Sequence, residues 1–100
     1  MSDDRLHHPE QIIHTLAALI EQRKREQPDG SYTVQLLGDV NKAAQKVGEE
    51  AVEVIVAALG QTPERLVAES ADLIYHLLVL LAVRDVPFSA VEAELAKRRK

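Results

Sequence analysis

Apolar residues recur at helical spacing along most of the chain, and proline, glycine and capping residues cut the pattern into segments. Pro9 can occupy a first helical position, and Ile12, Ile13, Leu16, Leu19 and Ile20 then share one face until Pro28-Asp29-Gly30 stops it. Ser31-Tyr32-Thr33 reopens the chain with capping residues and predicts a short helix through Leu37, with Gly38-Asp39 as punctuation. A longer helix is expected from about Val40 to Leu59, with Val40, Ala44, Val47, Ala51, Val54 and Ala58 along one stripe and Gly60 as its C-terminal cap. Thr62-Pro63 supplies the N-cap and first residue of the next helix, which should reach Arg84 before Val86-Pro87 ends it. Ser89-x-x-Glu92 reads as a capping box for a last helix carrying Val91 and Leu95. There is no internal repeat, low-complexity segment or long linker. These segments predict an all-α fold, an antiparallel bundle of four main helices.

Two acidic clusters interrupt the apolar pattern of the central helices: Glu49-Glu50-x-x-Glu53, then fifteen residues, then Glu69-x-x-Asp72. A link of about three residues, Gly60-Gln61-Thr62, makes the two helices antiparallel neighbours. Glu53 lies seven residues before Gly60 and Glu69 seven after Thr62. At roughly 1.5 Å per residue both stand about 10 Å from the turn, with Glu50 and Asp72 level at about 15 Å. Lys42, Lys46, Glu49, Glu50 and Glu53 share a wedge of about 100°, and Arg65, Glu69, Asp72 and His76 one of about 60°. One such cluster alone reads as a solvated face with Lys46 pairing to Glu50. A second at matching depth turns the reading towards a metal site, because carboxylates facing one another in an apolar bundle need a cation between them. His76 is then either a core histidine bonded to Asp72 or Glu69 or a substrate contact, and Lys46 either a salt-bridge partner or a phosphate ligand. His7, His8 and His14 read as surface residues, and Tyr75 as core or interface.

Composition narrows the class further. One hundred residues make one domain, 1–100, and with only three aromatic residues the interior must be aliphatic, which favours helix-on-helix packing. The net charge of -4 argues against a nucleic-acid surface, and Arg23-Lys24-Arg25 and Lys97 to Lys100 suit helix C-termini instead. Without cysteine there is neither a disulfide nor a thiolate metal site. Met1 to Arg5 lacks a signal-peptide core, and the longest apolar run, Leu77 to Val83, is far short of a membrane span. The expectation is a soluble cytoplasmic protein without membrane or nucleic-acid partners. Because the two central helices are apolar around most of their circumference, oligomerisation is expected as well.

Ser31-Tyr32-Thr33, the run from Lys46 to Glu53 (KVGEEAVE) and the run from Glu69 to Leu81 (ESADLIYHLLVLL) resemble phosphoribosyl-ATP pyrophosphohydrolase, a branch of the MazG-like all-α NTP pyrophosphatases. The resemblance extends from the first helix to the last. It implies Mg2+-dependent hydrolysis of phosphoribosyl-ATP to phosphoribosyl-AMP and pyrophosphate, the second step of histidine biosynthesis. It further implies Glu50, Glu53, Glu69 and Asp72 as metal ligands, Glu49 as a second-metal ligand or a base towards water, and Lys42, Lys46 and His76 as substrate contacts. A homodimer whose helices complete one bundle is implied too, with the cyclohydrolase of the following step on a separate chain. Two other readings stand beside it: a MazG-like enzyme acting on free nucleotides, and a non-enzymatic helical interaction protein. A carboxylate-bridged iron centre fits less well, since that design wants two Glu-x-x-His pairs and only one histidine lies near the clusters.

Overall fold

The chain folds around its two longest helices, which pack antiparallel, with the two helices that precede them laid against the pair. The structure, a computed structural model, describes residues 11–99; Pro9, His7, His8 and Lys100, to which the sequence assigns roles, lie outside them. Five helices follow in order: α1 Ile12–Glu26, α2 Tyr32–Leu37, α3 Val40–Gly60, α4 Pro63–Val83 and α5 Phe88–Arg98. The described residues hold no strand, and the all-α expectation stands.

Local chemistry accounts for most of the boundaries. Ser31 Oγ accepts from the Val34 amide at 3.3 Å, Asp39 Oδ1 from Lys42 at 3.1 Å and Thr62 Oγ1 from Arg65 at 3.2 Å, so α2, α3 and α4 each begin on a side-chain cap. Two expectations need correction. Gly60 is the last residue of α3 rather than its cap, because the chain leaves through an extended Gln61 straight into Thr62 and needs no left-handed residue there. Ser89-x-x-Glu92 is not a capping box either: α5 starts at Phe88 behind Pro87 with no side-chain cap. Glu92 turns to α1 instead, where its carboxylate lies 3.1 Å from His14 Nε2.

Ile20 of α1, Leu36 of α2 and Leu78, Val79 and Ala82 of α4 form the buried core. The pairing of α3 with α4 is the most extensive in the structure, α1 and α2 also pack on α4, and the apolarity of α4 serves these contacts. On α3 the inward line differs from the predicted stripe: Ala43 and Ala57 are buried, with Val47, Glu50 and Val54 partly covered between them, whereas Val40, Ala44 and Ala58 are exposed. Small residues at 43 and 57 let the helices approach closely, and the seven-residue spacing carries Glu50 onto the same line.

The C-terminal end of α4 is closed from the far side of the chain. Asp85 adopts a left-handed conformation, φ 58°, and the Val86 amide bonds back to Leu81 O at 2.9 Å and the Asp85 amide to Ala82 O at 3.1 Å, the double closure of a Schellman turn. Lys24, on the last turn of α1, donates to Ala82 O at 2.8 Å and pairs with Asp85. Hydrogen bonding to Asp85 raises the Lys24 pKa, against some desolvation, and the Lys24 bond depresses the Asp85 carboxyl. Lys24→Gln should therefore lower stability at neutral pH by about 1 kcal/mol, chiefly through the charge-assisted bond to Ala82. Since the Asp85 pKa is lowered on folding, its share is complete above the ordinary carboxylate range and lost as pH falls through the depressed value. Urea unfolding of both proteins should accordingly show a gap that narrows on acidification.

Candidate metal centre

Glu50, Glu69 and Asp72 converge where α3 and α4 face each other. Each offers a carboxylate oxygen, and the three oxygens lie within 4.8 Å of one another. Helix geometry explains the meeting. Glu50 shares the inward line of Ala43 and Ala57, and Glu69 and Asp72, three residues apart, lie side by side on α4 at the same distance from the hairpin. Glu69 is 8% exposed, an unusual place for a carboxylate, while Asp72 opens to solvent.

Two cations offset part of this charge. Arg65 Nη2 donates to Glu69 Oε1 at 2.5 Å, one helical turn away. Lys46 Nζ stands 3.5 Å from Glu50 Oε1 and 3.7 Å from Glu49 Oε2. Desolvation pulls the Lys46 pKa down, but attraction to Tyr32, Glu49 and Glu50 outweighs it, and the net displacement is upward. Two like charges at such a separation repel by roughly 3 kcal/mol at an effective dielectric near 20, so three carboxylates with two partners remain short of positive charge. An all-oxygen donor set of this size suits a hard divalent cation, with water or ligand oxygens completing its shell.

The other predicted residues take different places. Glu53 is exposed and outside the trio, because it is rotated about 60° round α3 from Glu50, towards solvent. Glu49 is also exposed and accepts from Gln45 Nε2 at 2.8 Å. Lys42 is exposed at the start of α3, one turn before Lys46. His76 is buried one turn beyond Asp72, with Nδ1 2.7 Å from Asp72 O. A backbone carbonyl can only accept, so Nδ1 carries the proton and, in the neutral ring, Nε2 is an acceptor. Tyr32 O–H meets that acceptor at 3.1 Å. Next to it Thr33 is hydrogen-bonded to Tyr75, so two consecutive residues of α2 are tied to two consecutive residues of α4 beside the acidic group.

Arg65 and Tyr32 received no role from the sequence. Arg65 could have been found by its i,i+4 spacing to Glu69, whereas nothing local in Ser31-Tyr32-Thr33 says which helix it meets. A separate groove of about 390 Å³ lies at the far end of α4, lined by His14, Ala17, Leu78 and Phe88 among others. It shares no residue with the carboxylate trio.

Comparison with known proteins covers nearly the whole chain. The family model described as phosphoribosyl-ATP pyrophosphohydrolase matches residues 13–99. A phosphoribosyl-ATP pyrophosphatase of Caulobacter sp. (strain K31) is 52% identical over 88 residues, 88% of this chain and 82% of that protein. One from Metallosphaera sedula is 51% identical over 90 residues, 89% of this chain and 97% of its own length, and one from Ruegeria pomeroyi is 51% identical over 89 residues, 88% and 85% respectively.

The crowding of the trio is directly measurable. With divalent ions chelated, Asp72→Asn should melt no lower than the unaltered protein and gain up to about 1 kcal/mol, a figure reduced from the Coulomb value because Asp72 is exposed. Adding a divalent cation should reverse the order in calorimetry.

Proposed function

The chain belongs to the phosphoribosyl-ATP pyrophosphohydrolase family, and from that premise we propose that it hydrolyses phosphoribosyl-ATP to phosphoribosyl-AMP and pyrophosphate with Mg2+, the second step of histidine biosynthesis, in the cytoplasm. The observation that carries this reading is the convergence of Glu50, Glu69 and Asp72 across two helices, a cost in repulsion that a packing role leaves unexplained. Glu50, Glu69 and Asp72 would hold the ion, and Glu53, exposed one turn beyond Glu50, would supply a fourth carboxylate by turning in from the solvent side of α3. When bound, Mg2+ neutralises the polyphosphate and polarises its phosphoryl oxygens. Lys46, beside Glu50, and Lys42, one turn before it on α3, attract the phosphate chain at the end of the site away from the hairpin. Glu49 accepts the proton of the attacking water: its oxygen bonds to phosphorus at the α–β anhydride, the bridging P–O bond breaks, and pyrophosphate departs. Arg65 holds the Glu69 carboxylate in place, and His76, locked as the Nδ1–H tautomer by Asp72 O, fixes the wall next to it. The product then becomes the substrate of the cyclohydrolase that follows.

A homodimer or larger homo-oligomer completes this reading. Val52 (56% exposed), Ile55 (57%) and Leu59 (85%) on α3 and Val67 (70%) on α4 form apolar faces that neither helix covers for the other. The radius of gyration, 14.6 Å, also exceeds the roughly 13 Å of a compact chain this long. A second copy packing there would turn the helices into one larger bundle.

Pyrophosphate release from phosphoribosyl-ATP should require Mg2+ and fall in Glu50→Gln by more than the roughly 10- to 100-fold that loss of an outer-sphere partner costs. Release that persists in EDTA would reject the metal role. Sedimentation at micromolar concentration should give at least a dimer, and Leu59→Glu should shift it towards monomer.

A further inference from the structure

The acidic trio explains how a phosphate chain is held but not how a nucleoside attached to it is recognised. The cleft has two unlike ends. Towards the hairpin stands Arg65, already engaged with Glu69. Away from it, Lys46 on α3 and His76 on α4 lie level with one another, and α2 crosses over them to place Tyr32 on His76. Aromatic side chains are scarce in this chain, three in all, yet two of them meet at this end.

Tyr32 is held in a manner unusual for a surface side chain. Its ring stacks against Tyr75 with centroids 6.4 Å apart and planes 16° from parallel, and it meets the edge of His76 at 5.9 Å and 80°. Its hydroxyl must donate to His76 Nε2, because the bond from Nδ1 to Asp72 O leaves the neutral ring no second proton there. Two neighbours thus fix the ring through three contacts, and it nonetheless remains 44% exposed. A rigid, half-open aromatic beside a cation and one turn from an acidic metal group has the chemistry of a base-stacking platform, with little ordering entropy left to lose on binding.

We propose that Tyr32 is a substrate-contacting residue whose open ring surface stacks on the purine, so that the nucleoside lies at the α2 end of the cleft and the phosphates run from there across Glu50, Glu69 and Asp72. The assignment rests on the phosphoribosyl-ATP hydrolase reading and adds to it a direction for the substrate and a residue that discriminates a nucleotide from a bare polyphosphate.

Steady-state kinetics on phosphoribosyl-ATP with the unaltered protein, Tyr32→Phe and Tyr32→Leu test it, with inorganic tripolyphosphate as a competitive inhibitor that has no base. Tyr32→Leu should raise KM about 10- to 100-fold with kcat changed less than about threefold, and Tyr32→Phe, which keeps the ring, should stay within about threefold in both. The inhibition constant for tripolyphosphate should be the same in all three. An unchanged KM in Tyr32→Leu would overturn the proposal, as would a tripolyphosphate constant that weakens in step with KM, the mark of a distorted cleft. Because the chain has no tryptophan, quenching of tyrosine emission by AMP gives a second measure in the unaltered protein and in Tyr32→Phe, and lack of quenching in the unaltered protein also counts against stacking. If the unaltered protein releases no pyrophosphate from phosphoribosyl-ATP, the hydrolase reading is what fails, and the AMP titration then judges the platform by itself.

Discussion

Close approach of two helices at alanine is the constraint on which the rest of this structure depends. Ala43 and Ala57 are the buried positions of α3, which packs on α4, and whatever occupies the line between them must share that covered face. Glu50 does, opposite Glu69 and Asp72. Leucine at position 50 would pack there with less electrostatic cost, so the acidic choice weakens the apolar seam where it could be strongest. A divalent ion held there would convert the same three groups from mutually repelling charges into a coordination shell, and on the proposed reading stability and function would meet at one point in the helix pair.

Around that point the supporting contacts form a hierarchy. Arg65 and Lys46 moderate the charge from either end of the cleft without neutralising it. The two links from α2 to α4, Tyr32 with His76 and Thr33 with Tyr75, fix a helix of only six residues that would not be stable alone. The short helix is therefore held twice, by Leu36 buried in the core and by these polar bonds, which set its Tyr32–Thr33 end as a wall beside the acidic group.

Much of this was legible in the residues. Thr62-Pro63 and Ser31 marked helix starts because capping is a local interaction between a side chain and an amide three residues on, and Asp39, read only as punctuation, caps α3 in the same way. The two acidic clusters pointed to a candidate metal site through spacing and depth, and three of the four carboxylates expected there converge. Glu53 was not separable from them by spacing, since choosing the inward line of α3 requires knowing where α4 lies. The same ignorance of rotation misplaced the apolar stripe, which runs through Ala43 and Ala57 instead of Ala44 and Ala58. Ser89-x-x-Glu92 failed for a related reason: Pro87 already starts α5, and Glu92 had a partner on α1 that no local motif contains. Tyr32 on His76 joins residues 44 apart, beyond any helical period.

The cap that Lys24 places on Ala82 reaches across 58 positions. Carbonyls at the end of a helix are ordinarily satisfied by their own neighbours, so a helix can lose its last turn without disturbing anything distant. Here that freedom is curtailed: melting the corner after α4 releases an ammonium group of α1, and undocking α1 strips the corner. Amide exchange at the two places should thus be coupled, joining the first helix to the fourth in one cooperative unit and restraining motion at the end of α4 remote from the hairpin.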